Sequence, residues 1–390
     1  MAVAQGFSKI TTSGSVFMYD TADTVNSYKG EPSTNLALFS MNSGFSSDYP
    51  SNITFTDDST VTYQGRQSKR VVATGQWNIY RYPRPGNYTA TSSGQFTYSF
   101  KIKWADGHTP YFSNGYIYVD ASTTYPGITV RAIDNGWFWC YCTYSGTSSP
   151  PWLTGFTTTD TGTCWITDWQ LEAGLLHPTQ YIAPGGTRSA TQSLIPLISN
   201  NTLDLTNASF NSTGEISLDG SNDYIKASQN SNFYTNNWAW EMVVKFTANT
   251  GTYQGLVWAE GDTGEGSGLQ YLLTLYSNAI LHYRIYNTNS GWGYTDTANI
   301  TFDPLKYNHI TWQFNNGTTT IYINSVLFHT DTSRGAYSGG TNSPMFIGAR
   351  NDGAYGAPMM PAVYRHYTRV LTPGEILNNY NHYKTKYNLS

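Results

Sequence analysis

The chain has 390 residues, of which 16% are aromatic and only 12% charged, with a net charge of −4. Such a composition excludes a disordered chain, which would be poor in aromatics and rich in charge. Nucleic-acid binding is not expected, because the basic residues form only two short broken runs, Arg66–Arg70 and Arg81–Arg84, where phosphate recognition needs a concentrated basic face.

In chain order, Met1 to Ile10 has no apolar stretch of the kind that directs secretion. No run of about 18 apolar residues follows, so no membrane span is expected. Residues 1–40 read as an N-terminal extended arm. Val16-Phe17-Met18-Tyr19 is a short apolar strand, and Asn26-Ser27-Tyr28-Lys29-Gly30-Glu31-Pro32 is rich in turn formers. This opening is too short to fold alone and is expected to dock on a neighbour.

Residues 41–182 read as a first β-sandwich. Phe96, Tyr98, Phe100, Ile102 and Trp104 alternate with Thr97, Ser99, Lys101 and Lys103, the period of a half-buried strand. Tyr116–Val119, Ile128–Arg131 and Trp137–Tyr144 are further strands, punctuated by Gly, Pro and Asn at short intervals. Many short strands with regular turns indicate a sandwich or barrel. Ala183-Pro184-Gly185-Gly186-Thr187-Arg188-Ser189 has the chemistry of a linker, placed at 183–193.

Residues 194–390 read as a second sandwich. Trp238, Trp240, Met242, Val244 and Phe246 share one strand face, as do Ile310, Trp312 and Phe314. Asn315-Asn316-Gly317, followed by Thr320-Ile321-Tyr322-Ile323, predicts a tight hairpin. Thr372-Pro373-Gly374-Glu375 predicts a helix start with a Thr cap, Pro at the first helical position and a reciprocal Glu. That helix is expected to run to about Lys384, with Ile376, Leu377, Tyr380 and Tyr383 facing the sandwich. The predicted fold is all-β: two tandem β-sandwich (jelly-roll) domains, an N-terminal arm and one short C-terminal helix.

Cys140, Cys142 and Cys164 are an odd set, with no closed disulfide framework. They read as small buried apolar residues, with a link from Cys164 to Cys140 or Cys142 left open. The seven histidines are scattered and read as surface or cap residues.

Several stretches of the second body resemble the concanavalin A-like lectin/laminin-G-like family. They are Ile216-Ser217-Leu218-Asp219-Gly220-Ser221-Asn222-Asp223-Tyr224-Ile225, Trp240–Phe246, the hairpin Tyr307–Asn324, Phe346–Arg350 and the tail from Tyr364 to Ile376. The first body resembles carbohydrate-binding-module-like sandwiches of phage fibres, through Gln170-Leu171-Glu172-Ala173-Gly174 and Thr179-Gln180-Tyr181-Ile182. The tandem order resembles phage virion proteins. The resemblance implies a virion structural protein, made in the host cytoplasm without a signal peptide and carried on the particle surface. It would be a tail-fibre or receptor-binding component for host attachment, or a capsid or neck decoration protein anchored by residues 1–40. Its partners would be other virion proteins and a host surface glycan, and virion symmetry implies a homo-oligomer.

Glycans stack on aromatic rings and hydrogen-bond to Asp, Asn and Arg. The candidate glycan-binding residues are therefore Trp292 and Tyr294 in Ser290–Tyr294, and Arg350, Asp352 and Tyr355 in the next polar loop. Trp137, Trp139 and Trp152 are the aromatic candidates of the first body, with core burial the simpler reading. Asp262 and Glu265, set among glycines, are weak candidates for a calcium site. No catalytic residue is assigned. A glycan hydrolase needs two opposed carboxylates, and the strands Glu241–Phe246 and Leu272–Tyr276 carry one acid between them.

Overall fold

The computed structural model of the protein describes residues 10–36, 45–46, 52–74, 77–81, 94–105, 117–118, 129–146, 152–155, 162–248, 252–259, 271–276, 280–286, 294–299, 302–338, 343–350 and 352–389. It is all-β, built from antiparallel sheets with one substantial helix near the C-terminus. Two compact units are present. One comprises 32–188 with 212–214; the other comprises 1–31, 189–211 and 215–390.

The N-terminal unit contains a six-stranded antiparallel sheet. Its order is Ile53–Tyr63, Arg66–Ala73, Gly162–Ala173, Gly94–Trp104, Phe138–Gly146 and Thr129–Ala132. A four-stranded sheet is formed by Phe45–Ser46, Trp77–Arg81, Trp152–Gly155 and Ile117–Tyr118. Phe96, Tyr98, Phe100 and Ile102 are buried on one face, with Cys140, Cys142, Cys164 and Ile166, but the strand is not half-buried: Thr97, Ser99 and Lys101 on the other face are buried too. All three cysteines are free thiols. Burial pushes the Cys142 thiol up to about 12 and raises Cys140 and Cys164 as well, so none is a nucleophile near neutral pH. Trp137 is a core residue at 2% exposure, whereas Trp139 is only half-buried.

The Gln-Leu-Glu motif has a structural role. The Gln170 side chain accepts from Ile182 N at 2.7 Å. Glu172 accepts from Thr179 N at 3.0 Å and from its hydroxyl at 2.7 Å. Side chains on one strand thus fasten the segment that follows it. Between Thr167 and Gln170 the register against Gly94–Trp104 shifts. Asp168 sits in this bulge at φ 53°. Its carboxylate accepts from Arg66 Nε at 2.7 Å, Arg66 Nη2 at 2.6 Å and Lys101 Nζ at 2.7 Å. Asp168 and Lys101 are both buried. Burial alone would raise the Asp168 carboxyl, but the Arg66 guanidinium and Lys101 ammonium hold it below the ordinary range. Burial also pulls the Lys101 ammonium down, against the attraction of Asp168.

The C-terminal unit is a sandwich of two seven-stranded sheets. The first runs in the order Ser15–Asp20, Pro358–Tyr367, Asn237–Phe246, Asn308–Asn315, Thr318–Ile323 and Val326–Asp331, with Leu218–Asp219 also beside Pro358–Tyr367. The second runs Leu203–Asp204, Ile225–Ala227, Met345–Ile347, Gln254–Ala259, Tyr271–Tyr276, Ile280–Ile285 and Tyr294–Asn299. Trp238, Trp240, Met242 and Trp312 from the first sheet share one core with Leu273, Leu281, Tyr283 and Ile347 from the second. Buried polar tips find partners across it: Trp240 Nε1 donates to the Tyr271 hydroxyl at 3.1 Å, and the Tyr364 hydroxyl to Leu256 O at 3.0 Å.

The Val16–Tyr19 run, read from sequence as part of an arm, is a strand of this sandwich. Ser15–Asp20 pairs with Pro358–Tyr367, Tyr19 standing opposite Tyr364. Phe17 and Tyr19 alternate into the core, where Phe17 meets the rings of Phe233 and Trp240 edge-on.

The predicted hairpin is present. Asn308–Asn315 pairs with Thr318–Ile323, with Asn316 at φ 41° and Gly317 at φ 104°, as a primed two-residue turn requires. The predicted helix start is also present. Thr372 and Glu375 cap each other's backbone, with Pro373 first in the helix. The helix runs Pro373–Tyr387, one turn beyond the expected end, because Asn388 adopts the left-handed cap conformation at φ 51°. Ile376, Tyr380 and Tyr383 face the first sheet as expected, while Leu377 is 48% exposed and Tyr387 takes its place in the buried face.

Beneath this helix lies a buried polar network. Glu241 accepts from Tyr367 Oη at 2.9 Å and Asn379 Nδ2 at 3.1 Å, and lies 2.7 Å from His309 Nε2. Arg365 Nη1 donates to Thr11 O at 2.7 Å and the Tyr367 hydroxyl at 3.1 Å. Burial alone would raise the Glu241 carboxyl; His309 and Arg365 hold it below the ordinary range. His309 and His366 are fully buried and His282 nearly so, correcting the expectation that the histidines lie at the surface or at caps. The aromatic-rich sandwich has flat slots that an imidazole fills: His366 lies 4.5 Å from Trp240 and 5.2 Å from Phe233, between ring centres.

Candidate functional site

The site is built by two neighbouring segments of the C-terminal unit. The loop joining Met345–Ile347 to Pro358–Tyr367 carries Arg350, Asp352 and Tyr355. The turn Asp219-Gly220-Ser221-Asn222-Asp223 braces it. Asp223 Oδ2 accepts from the backbone N–H of Asp219 at 2.8 Å and of Ser209 at 3.2 Å. Asp223 of the Asp-Gly-x-x-Asp pattern is therefore scaffolding for the turn. Where loop and turn meet, a Cβ on Gly356 would overlap the backbone carbonyl of Gly220. Backbone cannot yield as a side chain can. Gly356→Ala is expected to cost about 1–3 kcal/mol, read as a lowered melting temperature of the purified chain.

Within the loop, Arg350 N donates to Ala354 O at 2.8 Å and Gly353 N to Arg350 O at 3.0 Å. Asp352 Oδ1 accepts from Ala354 N at 2.9 Å and from Arg350 Nε at 2.9 Å, and its Oδ2 faces Arg350 Nη2. Arg350 holds the Asp352 carboxyl down at about 2. The guanidinium also lies over the Tyr355 ring, 5.2 Å from its centre.

Tyr355 is the pivot of this arrangement. It takes φ 59°, a conformation that costs a bulky residue of order 1–3 kcal/mol. Its carbonyl is tied to the second sheet by Gly255 N at 2.9 Å. Its ring lies nearly parallel to Trp258, with centres 5.4 Å apart and 8° between planes, and meets Tyr253 edge-on at 5.7 Å. Tyr253 in turn stacks on Tyr276 at 4.2 Å, and His282 meets Tyr253 at 5.1 Å. Phe346 and Leu272 continue the apolar surface from Trp258. The result is a row of rings on the outer face of the second sheet. Tyr355 is 36% exposed, with the Arg350 guanidinium over its ring and paired to Asp352. A partly exposed ring beside an Arg–Asp pair offers apolar surface together with a donor and an acceptor, chemistry that suits a sugar, which has an apolar face and a rim of hydroxyls.

The structure thus brings together Arg350, Asp352 and Tyr355. Tyr294 begins the last strand of the second sheet, opposite Arg284, but its side chain, Trp292, Asp262 and Glu265 lie outside the described residues. The side chain of Trp152 does too. Among the described residues, no three metal-ligating side chains converge.

Sequence reasoning missed Trp258, Tyr253, Tyr276 and His282. The cause is a bulge: the register of Gln254–Ala259 against Tyr271–Tyr276 shifts between Gly255 and Val257. Leu256 and Val257 both enter the core, and Trp258 turns outward out of phase. A strict period-two reading through this strand hides it. The one signal available was aromatic residues at both ends of a short strand. Glu241, the acid on the strand considered for hydrolysis, is fully buried with both oxygens engaged.

No curated protein matches the chain. Among solved structures, it is similar to the binding domain of botulinum neurotoxin serotype G, at 16% identity and TM-score 0.39 over 48% of each chain. It is also similar to the binding domain of Paraclostridial Mosquitocidal Protein 1, at 18% identity and TM-score 0.36 over 47% of this chain and 48% of that one. The chain thus spans about half the length of the solved structures it matches. Residues 219–377, which hold the loop with Arg350, Asp352 and Tyr355 and most strands of the two seven-stranded sheets, match the model of the concanavalin A-like lectin/glucanases superfamily.

Proposed function

We propose that the chain is a non-catalytic, glycan-binding-type structural protein of a phage virion, serving as a tail-fibre or receptor-binding component for host attachment. The observation that carries the glycan reading is the exposed Tyr355 ring. It is held at an unfavourable backbone angle against Trp258, with Arg350 over it and Asp352 paired to that arginine. Strain of this kind persists only where the surroundings impose it, and it concentrates at binding sites. The virion setting is supported by the sequence resemblances of the two bodies and by their tandem order. In that setting the chain sits on the particle surface as a homo-oligomer, with other virion proteins and a host surface glycan as partners.

Two measurements test this. Labelled protein applied to an array of bacterial surface polysaccharides should retain a defined subset, and Tyr355→Ala should weaken that binding about tenfold, the value of one ring contact. An array without retained glycans, or a variant that binds unchanged, would overturn the glycan reading. Imaging of intact particles should place this chain at the tail. Density over the capsid or neck would replace the attachment role with decoration.

A further inference from the structure

A second concave feature of the C-terminal unit is lined by Lys245 and Met360, which pair in the first sheet, and has a different chemistry from the Tyr355 loop. A groove of about 530 Å³ is lined by Tyr28, Ile216, Lys245, Tyr307, Met360 and Lys386, among others, a size within the range of small-molecule sites. Lys306 and Glu215 also line it. Three of the chain's ten lysines therefore meet here, against one lining carboxylate, in a protein whose net charge is −4.

The three lysines are differently engaged. Lys386 Nζ is bound to Asp20 Oδ2 at 2.7 Å, and the Tyr387 hydroxyl donates to Asp20 Oδ1 at 2.7 Å. Asp20 is buried, so this corner is a fixed wall. Lys306 lies 4.0 Å from Asp303, with both side chains at least half exposed, a contact worth little in water. Lys245 pairs with no carboxylate among the described residues; its Nζ stands 5.9 Å from the centre of the Tyr307 ring. Tyr307 meets Tyr387 at 5.3 Å, and Met360, Pro361 and Ala362 line the groove as apolar surface. The groove therefore offers an ammonium at a ring with no carboxylate partner among the described residues, a second loosely held ammonium and an apolar lining, with the Glu215 carboxylate also near Tyr307.

We infer that this groove is a second binding site, for an anionic saccharide. Its acidic group would meet Lys245 and Lys306, and its ring would lie against Tyr307. A neutral sugar would leave Lys245 without a counter-charge, and a purely apolar ligand would have to desolvate it. The charge on such a saccharide is a carboxylate, as in uronic acids, or a phosphate, as in phosphate-linked polymers; the recognition chemistry is shared.

The test is calorimetric titration of the full chain with three probes: a glucuronic-acid oligosaccharide, the same oligosaccharide with its carboxyl groups reduced to alcohols, and an oligosaccharide of hexoses joined by phosphodiesters. Binding of at least one acidic probe is expected, weakened by added salt, with the reduced probe binding at least tenfold more weakly. Which acidic probe binds identifies the source of the charge. Lys245→Gln should weaken binding about tenfold and Lys245→Arg should retain it. Lys306→Gln, at an exposed position, should weaken it without affecting folding. Tyr355→Ala should leave it unchanged, so this site and the Tyr355 site fail independently. Equal binding of the acidic and reduced probes, binding of neither acidic probe, or loss with Tyr355→Ala instead of Lys245→Gln would overturn the inference.

Discussion

Asp168→Asn is expected to destabilise the N-terminal unit by about 3–5 kcal/mol, the cost of removing one member of a buried ion pair. Asn fits the site sterically and tolerates the left-handed conformation, so the variant isolates the loss of charge. What remains is Lys101, whose side chain is 3% exposed, without its counter-ion. Arg66 keeps a third of its side-chain surface in water, so the penalty falls chiefly on Lys101. The rings of Tyr63 and Trp139, 4.9 and 5.0 Å from Lys101 Nζ, replace only part of the lost attraction. Urea unfolding should show an earlier transition for this unit. Lys101→Met in the Asp168→Asn background should recover much of the loss, because the uncompensated charge is then gone. An unshifted transition in Asp168→Asn would show that the cluster does not clasp the sheet. The same cluster gives an acid dependence of definite sign. The folded Asp168 carboxyl is held below its unfolded value, so its contribution is present above about pH 3.9 and is lost as pH falls through the folded value.

His366→Phe is expected to stabilise the C-terminal unit in acid, by an amount that grows as pH falls. Burial among Trp240, Phe233 and Trp238 lowers the His366 pKa to about 3. In the unfolded chain the imidazole takes a proton below about 6.5. Between these values the unfolded state binds the extra proton, so stability declines as pH falls, by about 1.4 kcal/mol per unit. The full effect, from about 6.5 to about 3, is roughly 5 kcal/mol. Phe removes the titration and also two ring nitrogens without hydrogen-bond partners. Urea midpoints of the two proteins, compared from neutral pH downward, should diverge steadily. Parallel curves would mean that His366 gains a proton in the folded state at an ordinary pH, and would refute its placement in an aromatic slot.

The elements readable from sequence were those where local chemistry and tertiary role coincide. Asn316-Gly317 needs left-handed angles and has residues that accept them; Thr372, Pro373 and Glu375 satisfy a helix start without help from elsewhere. Trp238 to Phe246 kept its period because the strand is regular through the core-facing stretch. What escaped reading depended on breaks in period or on distant partners. The bulge near Gly255 reversed the phase of Trp258, and Asp168 sits in another bulge that places it between Arg66 and Lys101. The proximity of Arg350, Asp352 and Tyr355 is legible because a polar Gly-containing loop holds them in one local cluster. The stack beneath Tyr355 comes from strands far along the chain and left no such trace. Val16–Tyr19 was legible as a strand, but its partner, about 340 residues later, was not.

That last pairing has a consequence for synthesis. Ser15–Asp20 is made about 340 residues before the strand it joins, Pro358–Tyr367. At ~5–20 residues per second on the ribosome, Phe17 and Tyr19 wait roughly 20–70 s for their place in the sheet. Throughout that interval a short apolar strand with unpaired amides trails from the nascent chain, open to chaperones or to the same strand on a neighbouring polysome-bound copy. Slower elongation or a missing chaperone should therefore favour aggregates nucleated at this segment.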